Sequence, residues 1–175
     1  RSGYSKQGGY EIHIEDTKCG QDLYDHFFEI GNKYNLKPGA PNHPERIEGG
    51  LLSYGNDMLI SDNPFECGFE KYVNLDSNID FLGKESLKKI RDDGIKRKLM
   101  GVKIDTENLD LNNIDILNND NRVIGELRSA AYSPYFKKVV GIAMMKMEYC
   151  KIKENFKMKI INKSINGEIC NLPIT

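Results

Sequence analysis

Two residues with complementary hydrogen-bonding capacity, Glu11 and His13, stand two positions apart near the start of the chain. An ionised carboxylate only accepts hydrogen bonds, whereas a neutral imidazole donates through one ring nitrogen and accepts through the other. Residues 9–15 alternate polar and apolar side chains, which predicts a half-buried β-strand with Glu11 and His13 on one face. There the carboxylate can accept two N–H bonds from a planar heterocycle, with the imidazole stacked or hydrogen-bonded nearby. The alternative is an outer strand face that contacts only water.

Polar side chains also gather at the start of a short helix predicted from residue 42 to about residue 52. They are Asn42, Glu45, Arg46 and Glu48. A capping residue near a first-turn proline and an early acid is typical of a helix N-terminus. The pattern alone therefore favours capping and solvent-facing charge for this group.

The elements that must position these residues follow from hydrophobic periodicity. A stripe at helical spacing predicts a helix over residues 20–34; its members are Leu23, Phe27, Ile30 and Tyr34. Loose alternation predicts a strand over residues 65–75, and residues 83–91 predict a helix that ends near Gly94.

Beyond residue 96 the pattern changes to short strands separated by turn residues. The predicted strands cover residues 98–105, 112–117, 122–131, 138–147, 156–161 and 166–170. Residues 163–167, which contain Asn166-Gly167, predict the last hairpin turn. Six short strands in this length favour a small antiparallel barrel or sandwich. We therefore expect an α+β chain with an α+β part over residues 1–96 and an antiparallel β part over residues 97–175.

Composition excludes several classes of protein. The 175 residues carry a formal net charge of -1, without the basic excess that a nucleic-acid partner requires. The longest apolar run, residues 139–145, is far shorter than the ~20 residues of a membrane span. No metal site is expected, because the three histidines and four cysteines lack ligand spacing. The widely spaced cysteines predict reduced thiols and a cytoplasmic location.

Several blocks in order along the chain carry a family resemblance. Residues 1–12 read Arg-Ser-Gly-Tyr-Ser-Lys-Gln-Gly-Gly-Tyr-Glu-Ile, and residues 45–57 read Glu-Arg-Ile-Glu-Gly-Gly-Leu-Leu-Ser-Tyr-Gly-Asn-Asp. Residues 63–69 read Asn-Pro-Phe-Glu-Cys-Gly-Phe. These blocks resemble the aminomethyltransferase family, the glycine-cleavage T proteins, and residues 125–144 resemble its C-terminal barrel.

The resemblance implies a three-domain, cloverleaf-like enzyme with tetrahydrofolate in a central channel and a small antiparallel β-barrel at the C-terminus. Glu11 aligns with the glutamate that binds the pterin ring, and His13 aligns with a neighbouring folate-pocket position. Tyr10 is a further cofactor-binding candidate, and Asn42 and Tyr54 are candidates for the substrate or folate pocket.

Two departures from the family pattern narrow the expected activity. Asn42 stands where aminomethyltransferases usually carry an arginine, and residues 6–8, Lys-Gln-Gly, replace their Gly-Glu-Asp. Both favour the family branch that demethylates dimethylsulfoniopropionate. That branch transfers a sulfonium methyl to N5 of tetrahydrofolate and yields 5-methyltetrahydrofolate and methylmercaptopropionate. A glycine-cleavage-type aminomethyltransferase, another folate-dependent one-carbon enzyme, and a non-enzymatic folate-binding protein remain alternatives.

The resemblance covers the whole chain but corresponds to the C-terminal half of the family's enzymes. We therefore expect the catalytic residues to lie upstream of Arg1 and the 175-residue chain to be inactive alone. The expected partners are a small-molecule sulfonium substrate and the N-terminal half of the same enzyme. No membrane partner is expected, and a homodimer is left open.

Overall fold

The computed structural model describes residues 8–40, 42–107, 114–160 and 163–175. The chain divides between Asn42 and His43 into two compact units. The boundary predicted near residue 96, between an α+β part and an antiparallel β part, stays a prediction. The first barrel strand begins at Arg97. Within the described ranges, no helix combines the length and apolar character needed to cross a membrane.

In the described part of the first unit, α-helix α1 spans Gly20–Gly31. A short 3₁₀ helix precedes it, capped by Asp16, whose carboxylate accepts a hydrogen bond from the Lys18 amide at 2.9 Å. A second 3₁₀ turn follows and ends at Asn35, whose φ of 57° lies in the left-handed region. The helix predicted over residues 20–34 is confirmed.

The strand predicted over residues 9–15 is wrong. These residues form no ladder with any described segment, and Tyr10 and Ile12 are 82% and 58% exposed. An alternation of polar and apolar residues predicts which side chains a strand would bury. A strand also needs a neighbouring strand to pair with its backbone N–H and C=O groups. The segment has the pattern of a strand without a described partner.

The second unit opens with helix α2, His43–Glu48. The helix predicted to reach about residue 52 ends earlier because Gly50 takes a left-handed conformation with φ 64°. The Gly50 amide donates to the Ile47 carbonyl at 3.0 Å, and the Leu51 amide donates to the Arg46 carbonyl at 2.9 Å. This pair of bonds is the Schellman arrangement that closes helices at glycine.

Helix α3 spans Lys84–Asp93 and is closed by Gly94, which confirms the helix predicted there. The strand predicted over residues 65–75 is wrong, because turns and a 3₁₀ helix occupy that segment. The Asn63 side chain accepts hydrogen bonds from the amides of Phe65 and Glu66 at 3.1 and 3.0 Å. This local bonding holds the backbone in a turn and competes with an extended ladder.

Six antiparallel strands close into a barrel in the order β1-β4-β3-β2-β5-β6. They are β1 (Arg97–Ile104), β2 (Asp115–Leu117), β3 (Val123–Ser133), β4 (Lys138–Lys146), β5 (Asn155–Ile160) and β6 (Lys163–Cys170). The α+β class and the small antiparallel barrel are confirmed. The predicted start of β2 at residue 112 lies outside the described residues.

The turn predicted at residues 163–167 is wrong, because Asn166 and Gly167 lie inside β6. Ile160 pairs with Lys163, so β5 and β6 are joined at residues 161–162, outside the described ranges. A side chain at position 167 would overlap the Phe156 ring and come within 2.9 Å of the Lys103 carbonyl. Gly167 is therefore required for close packing within the sheet.

Strand β4 is buried on both faces, which explains the apolar run at residues 139–145. Val139, Ala143 and Met145 join the cluster that draws on all six strands and fills the barrel. Residues 140, 142 and 144 join a second cluster that includes Ile47 of α2. The barrel thus supports α2 on its outer surface.

Candidate functional site

Glu11 and His13 lie together in the first unit although they are not on a strand. The distance from Glu11 Oε2 to His13 Nε2 is 3.8 Å, beyond hydrogen-bonding range. Their side chains are 65% and 90% exposed. Neither side chain therefore uses its hydrogen-bonding capacity on the other, and both are accessible to another molecule.

The remaining predicted site residues are exposed in their own units. Tyr10 belongs to the first unit, and Tyr54, which is 70% exposed, belongs to the second. Tyr54 forms an isolated backbone bridge with Met58 in the turn that follows α2. Asn42 is exposed and directly precedes α2. Lys6 and Gln7, where the sequence departs from the family pattern, lie outside the described residues.

Arg46 of α2 is buried, with 2% of its surface exposed, contrary to the solvent-facing role that its pattern favoured. Its Nη1 donates to Asp57 Oδ2 at 2.5 Å and to the Leu51 carbonyl at 3.2 Å. Its Nη2 donates to Ser129 Oγ of β3 at 3.0 Å. The guanidinium thus joins the helix, the following turn and the barrel.

Asp57 supplies the charge that balances Arg46. Its side chain is fully buried, and Oδ2 also accepts a hydrogen bond from the Ser53 amide at 2.7 Å. Oδ1 has no hydrogen-bond partner among the described residues. Burying such a pair is tolerated because each charge compensates the other. The residue pattern gave no sign of this pair, although both residues stand within the family-like block 45–57.

The outer end of this network is His43, the first residue of α2. Arg46 Nε donates to His43 Nδ1 at 3.3 Å. Partial burial and the Arg46 charge lower the pKa of His43, against an opposing contribution from Asp57. The imidazole is therefore biased towards its neutral form, with Nδ1 as an acceptor.

A second ionic network fastens the segment before α3 to the barrel. Arg97 of β1 donates from Nε to Glu66 Oε1 and from Nη2 to Asp62 Oδ1, both at 2.9 Å. The hydrogen bond to Glu66 is the main cause of a raised Arg97 pKa. These contacts hold a turn segment in place and involve none of the predicted site residues. No cluster of three or more His, Cys, Asp or Glu side chains suited to a metal ion occurs in the described ranges.

Two models of one protein family match the chain. The model of the glycine-cleavage T-protein N-terminal domain matches residues 1–77, and that of the glycine cleavage T-protein C-terminal barrel domain matches residues 97–175. The second match coincides with the six-stranded barrel described above.

Individual relatives belong to the same family. The chain is 40% identical to the dimethylsulfoniopropionate demethylase of Ruegeria pomeroyi over 83% of its own length and 39% of that protein. It is 31% identical to an aminomethyltransferase of Thermoanaerobacter pseudethanolicus over 97% of the chain and 46% of that protein. The chain therefore spans less than half the length of these relatives.

A solved structure shares the fold. The crystal structure of the glycine cleavage system aminomethyltransferase T from Bartonella henselae superposes with a TM-score of 0.79 at 18% identity. The match covers 90% of this chain and 44% of that one. Sequence blocks, domain models and barrel topology agree: the chain belongs to the glycine-cleavage T-protein family of aminomethyltransferases.

Proposed function

We propose that this chain forms part of an enzyme that transfers a methyl group from dimethylsulfoniopropionate to tetrahydrofolate. The observation that carries the proposal is its 40% identity to a dimethylsulfoniopropionate demethylase, against 31% to an aminomethyltransferase. Asn42, at a position where aminomethyltransferases usually carry an arginine, also favours the demethylase branch. The four free cysteines support a reducing, cytoplasmic environment.

The residues proposed for folate binding have suitable chemistry. The pterin edge presents adjacent N–H donors, and the Glu11 carboxylate is an acceptor with two oxygens. The exposed rings of Tyr10 and His13 offer surfaces for a planar heterocycle. We assign Glu11 to the pterin edge, His13 and Tyr10 to its surroundings, and Asn42 and Tyr54 to the substrate or folate pocket.

The proposed reaction asks the protein for orientation more than for proton transfer. Tetrahydrofolate, when bound, would supply N5 as the methyl acceptor, and the proton displaced from N5 would pass to water. The sulfonium leaves as a neutral thioether, so no side chain of this chain has to protonate it. Holding two reactants in line can contribute about 7–11 kcal/mol to lowering a barrier. We place the catalytic residues proper in the portion of the relatives that precedes the matched region.

We also propose that the portion that precedes the matched region in the relatives has a counterpart that packs over the first unit. Helix α1 has an apolar stripe, yet Phe27 and Ile30 are 46% and 50% exposed, and Tyr34 beyond it is 74% exposed. An amphipathic helix gains stability when such a stripe packs against another element. We therefore expect the 175-residue chain alone to lack activity.

A glycine-cleavage-type aminomethyltransferase is the second candidate. It is favoured by the match to the Thermoanaerobacter protein, which covers 97% of the chain, against 83% for the demethylase. A folate-binding protein without catalytic activity is a third and weaker candidate.

The test compares methyl or methylene donors with the protein expressed from its complete gene. Tetrahydrofolate is incubated with dimethylsulfoniopropionate or with aminomethyl-loaded lipoyl protein, and folate products are quantified by mass spectrometry. We expect 5-methyltetrahydrofolate from the sulfonium, and no product from the 175-residue chain used as the matched control. Methylenetetrahydrofolate from the lipoyl donor alone would favour the second candidate, and folate binding without either product would favour the third.

A further inference from the structure

A chain of hydrogen bonds fixes the tautomer of His43. Asp57 Oδ2 accepts from Arg46 Nη1, and Arg46 Nε in turn donates to His43 Nδ1. A guanidinium has donors and no acceptor, so the Nδ1 that it contacts must carry a lone pair and no proton. The proton of the neutral ring is therefore on Nε2.

The outer end of this chain is accessible. His43 is exposed, whereas Arg46 and Asp57 are 2% and 0% exposed. The hydrogen bond with Arg46 uses Nδ1, so Nε2 lies on the other edge of the exposed ring. Because the Asp57 carboxylate balances the Arg46 charge and the pKa of His43 is lowered, the ring is neutral near pH 7. The second unit thus presents one oriented, uncharged N–H donor to the surroundings.

We propose that His43 contacts a bound reactant and donates a hydrogen bond from Nε2 to a carboxylate oxygen, with Arg46 and Asp57 as positioning residues. This inference rests on the proposed function, in which both reactants carry a carboxylate: the sulfonium acid and the glutamate tail of the folate. A neutral donor suits the sulfonium acid in particular, because a second cation would repel its positive sulfur.

The competing explanation is that His43 serves only as a partner for Arg46, and two amide variants separate these roles. His43→Asn keeps an acceptor oxygen near the Nδ1 position but removes the Nε2 donor. His43→Gln places an amide donor near the Nε2 position but removes the acceptor facing Arg46. His26→Asn, at an exposed histidine on α1, is the matched control.

The first measurement is ¹⁵N NMR of the complete protein with labelled histidine, the His43 signals being assigned by their loss in His43→Asn. We expect an unprotonated Nδ1 and a protonated Nε2 at pH 7.5. A proton on Nδ1 would overturn the inference, because Arg46 could not then donate to that atom.

The second measurement is the KM for dimethylsulfoniopropionate together with the dissociation constant of tetrahydrofolate. His43→Asn should raise one of the two about tenfold or more without lowering the melting temperature, and His43→Gln should raise it less. A change in KM alone identifies the sulfonium carboxylate, and a change in the folate constant alone identifies the folate carboxylate. No change in either for His43→Asn would overturn the inference. A wild-type protein that binds folate but transfers no methyl would overturn the proposed function instead. The tetrahydrofolate dissociation constants of the His43 variants would then still decide the role of His43.

Discussion

Glu11 is suited to its proposed role because its carboxylate is accessible and forms no ion pair with a lysine or arginine of the described residues. The neighbouring His13 lies 3.8 Å away and is itself largely exposed. A heterocycle with adjacent N–H groups can therefore bind without displacing a strong partner that belongs to the described residues. Because Glu11 is exposed, a substitution at this position disturbs no core, so its effect on binding can be measured separately from stability.

We predict that Glu11→Gln weakens tetrahydrofolate binding by the complete protein about 10- to 100-fold. The substitution keeps the shape of the side chain but replaces one acceptor oxygen with a donor, and hydrogen bonds to a charged group contribute roughly 1.5–3 kcal/mol. Isothermal titration calorimetry measures the effect, with Glu15→Gln as the control at another exposed acid of the same segment. Equal dissociation constants for the two variants would contradict the assignment.

The spacing of Glu11 and His13 predicted their proximity, but residue patterns could not reveal Arg46 and Asp57. An arginine on a short helix is usually solvent-exposed, and its burial here depends on Ser129, 83 positions away in the sequence. The hydrogen bond from Arg46 to His43 likewise depends on the position of the guanidinium in the folded chain. Long-range partners of this kind become visible only when the barrel and α2 are assembled.

At the scale of elements, the barrel strands were the most predictable part of the chain. Their alternation and turn residues placed β1, β3 and β4 within two residues of their observed bounds. Predictions failed where local pattern and tertiary context disagree. Residues 9–15 have the alternation of a strand but no described partner. The pair Asn166-Gly167 is typical of a turn, but Gly167 packs against the Phe156 ring.

The attachment of α2 to the barrel leads to a prediction about stability. Asp57→Ala should lower the free energy of unfolding by about 3–5 kcal/mol, because it leaves the Arg46 guanidinium buried without a counter-charge. Urea unfolding can be followed by near-ultraviolet circular dichroism of the nine tyrosines, since the chain has no tryptophan.

The control removes an ion pair at the surface. Asp76→Ala breaks the contact with Arg91, in which the two side chains are 87% and 45% exposed. Water and salt screen such a pair, so a much smaller loss is expected. Equal losses for Asp57→Ala and Asp76→Ala would contradict a buried, mutually compensated Arg46–Asp57 pair.

Across the whole molecule, burial is unevenly divided between the two units. The buried hydrophobic residues of the described chain lie between Ile47 and Ile174, and in α1 only Gly31 is buried. The second unit therefore has the cores expected of an independent fold. In the described part of the first unit, the apolar stripe of α1 is partly exposed.

This division predicts the order in which the cysteines react. Cys19 is exposed, whereas burial raises the pKa of Cys67 and of Cys170 to about 11. At pH 8 these two thiols are almost entirely protonated, and the thiolate is the reactive form. Iodoacetamide treatment of the 175-residue chain, read by peptide mass spectrometry, should label Cys19 first and the buried pair only in urea. Native labelling of Cys67 as fast as Cys19 would contradict the described core.

The proposed transfer is tested most directly by following the methyl group itself. The complete protein is incubated with tetrahydrofolate and dimethylsulfoniopropionate whose sulfonium methyls are fully deuterated, and both products are examined by mass spectrometry. We predict 5-methyltetrahydrofolate with a trideuterated methyl, together with an equal amount of methylmercaptopropionate that keeps the other labelled methyl. If the protein binds both reactants but the folate stays unlabelled and the sulfonium stays intact, the proposed methyl transfer is contradicted.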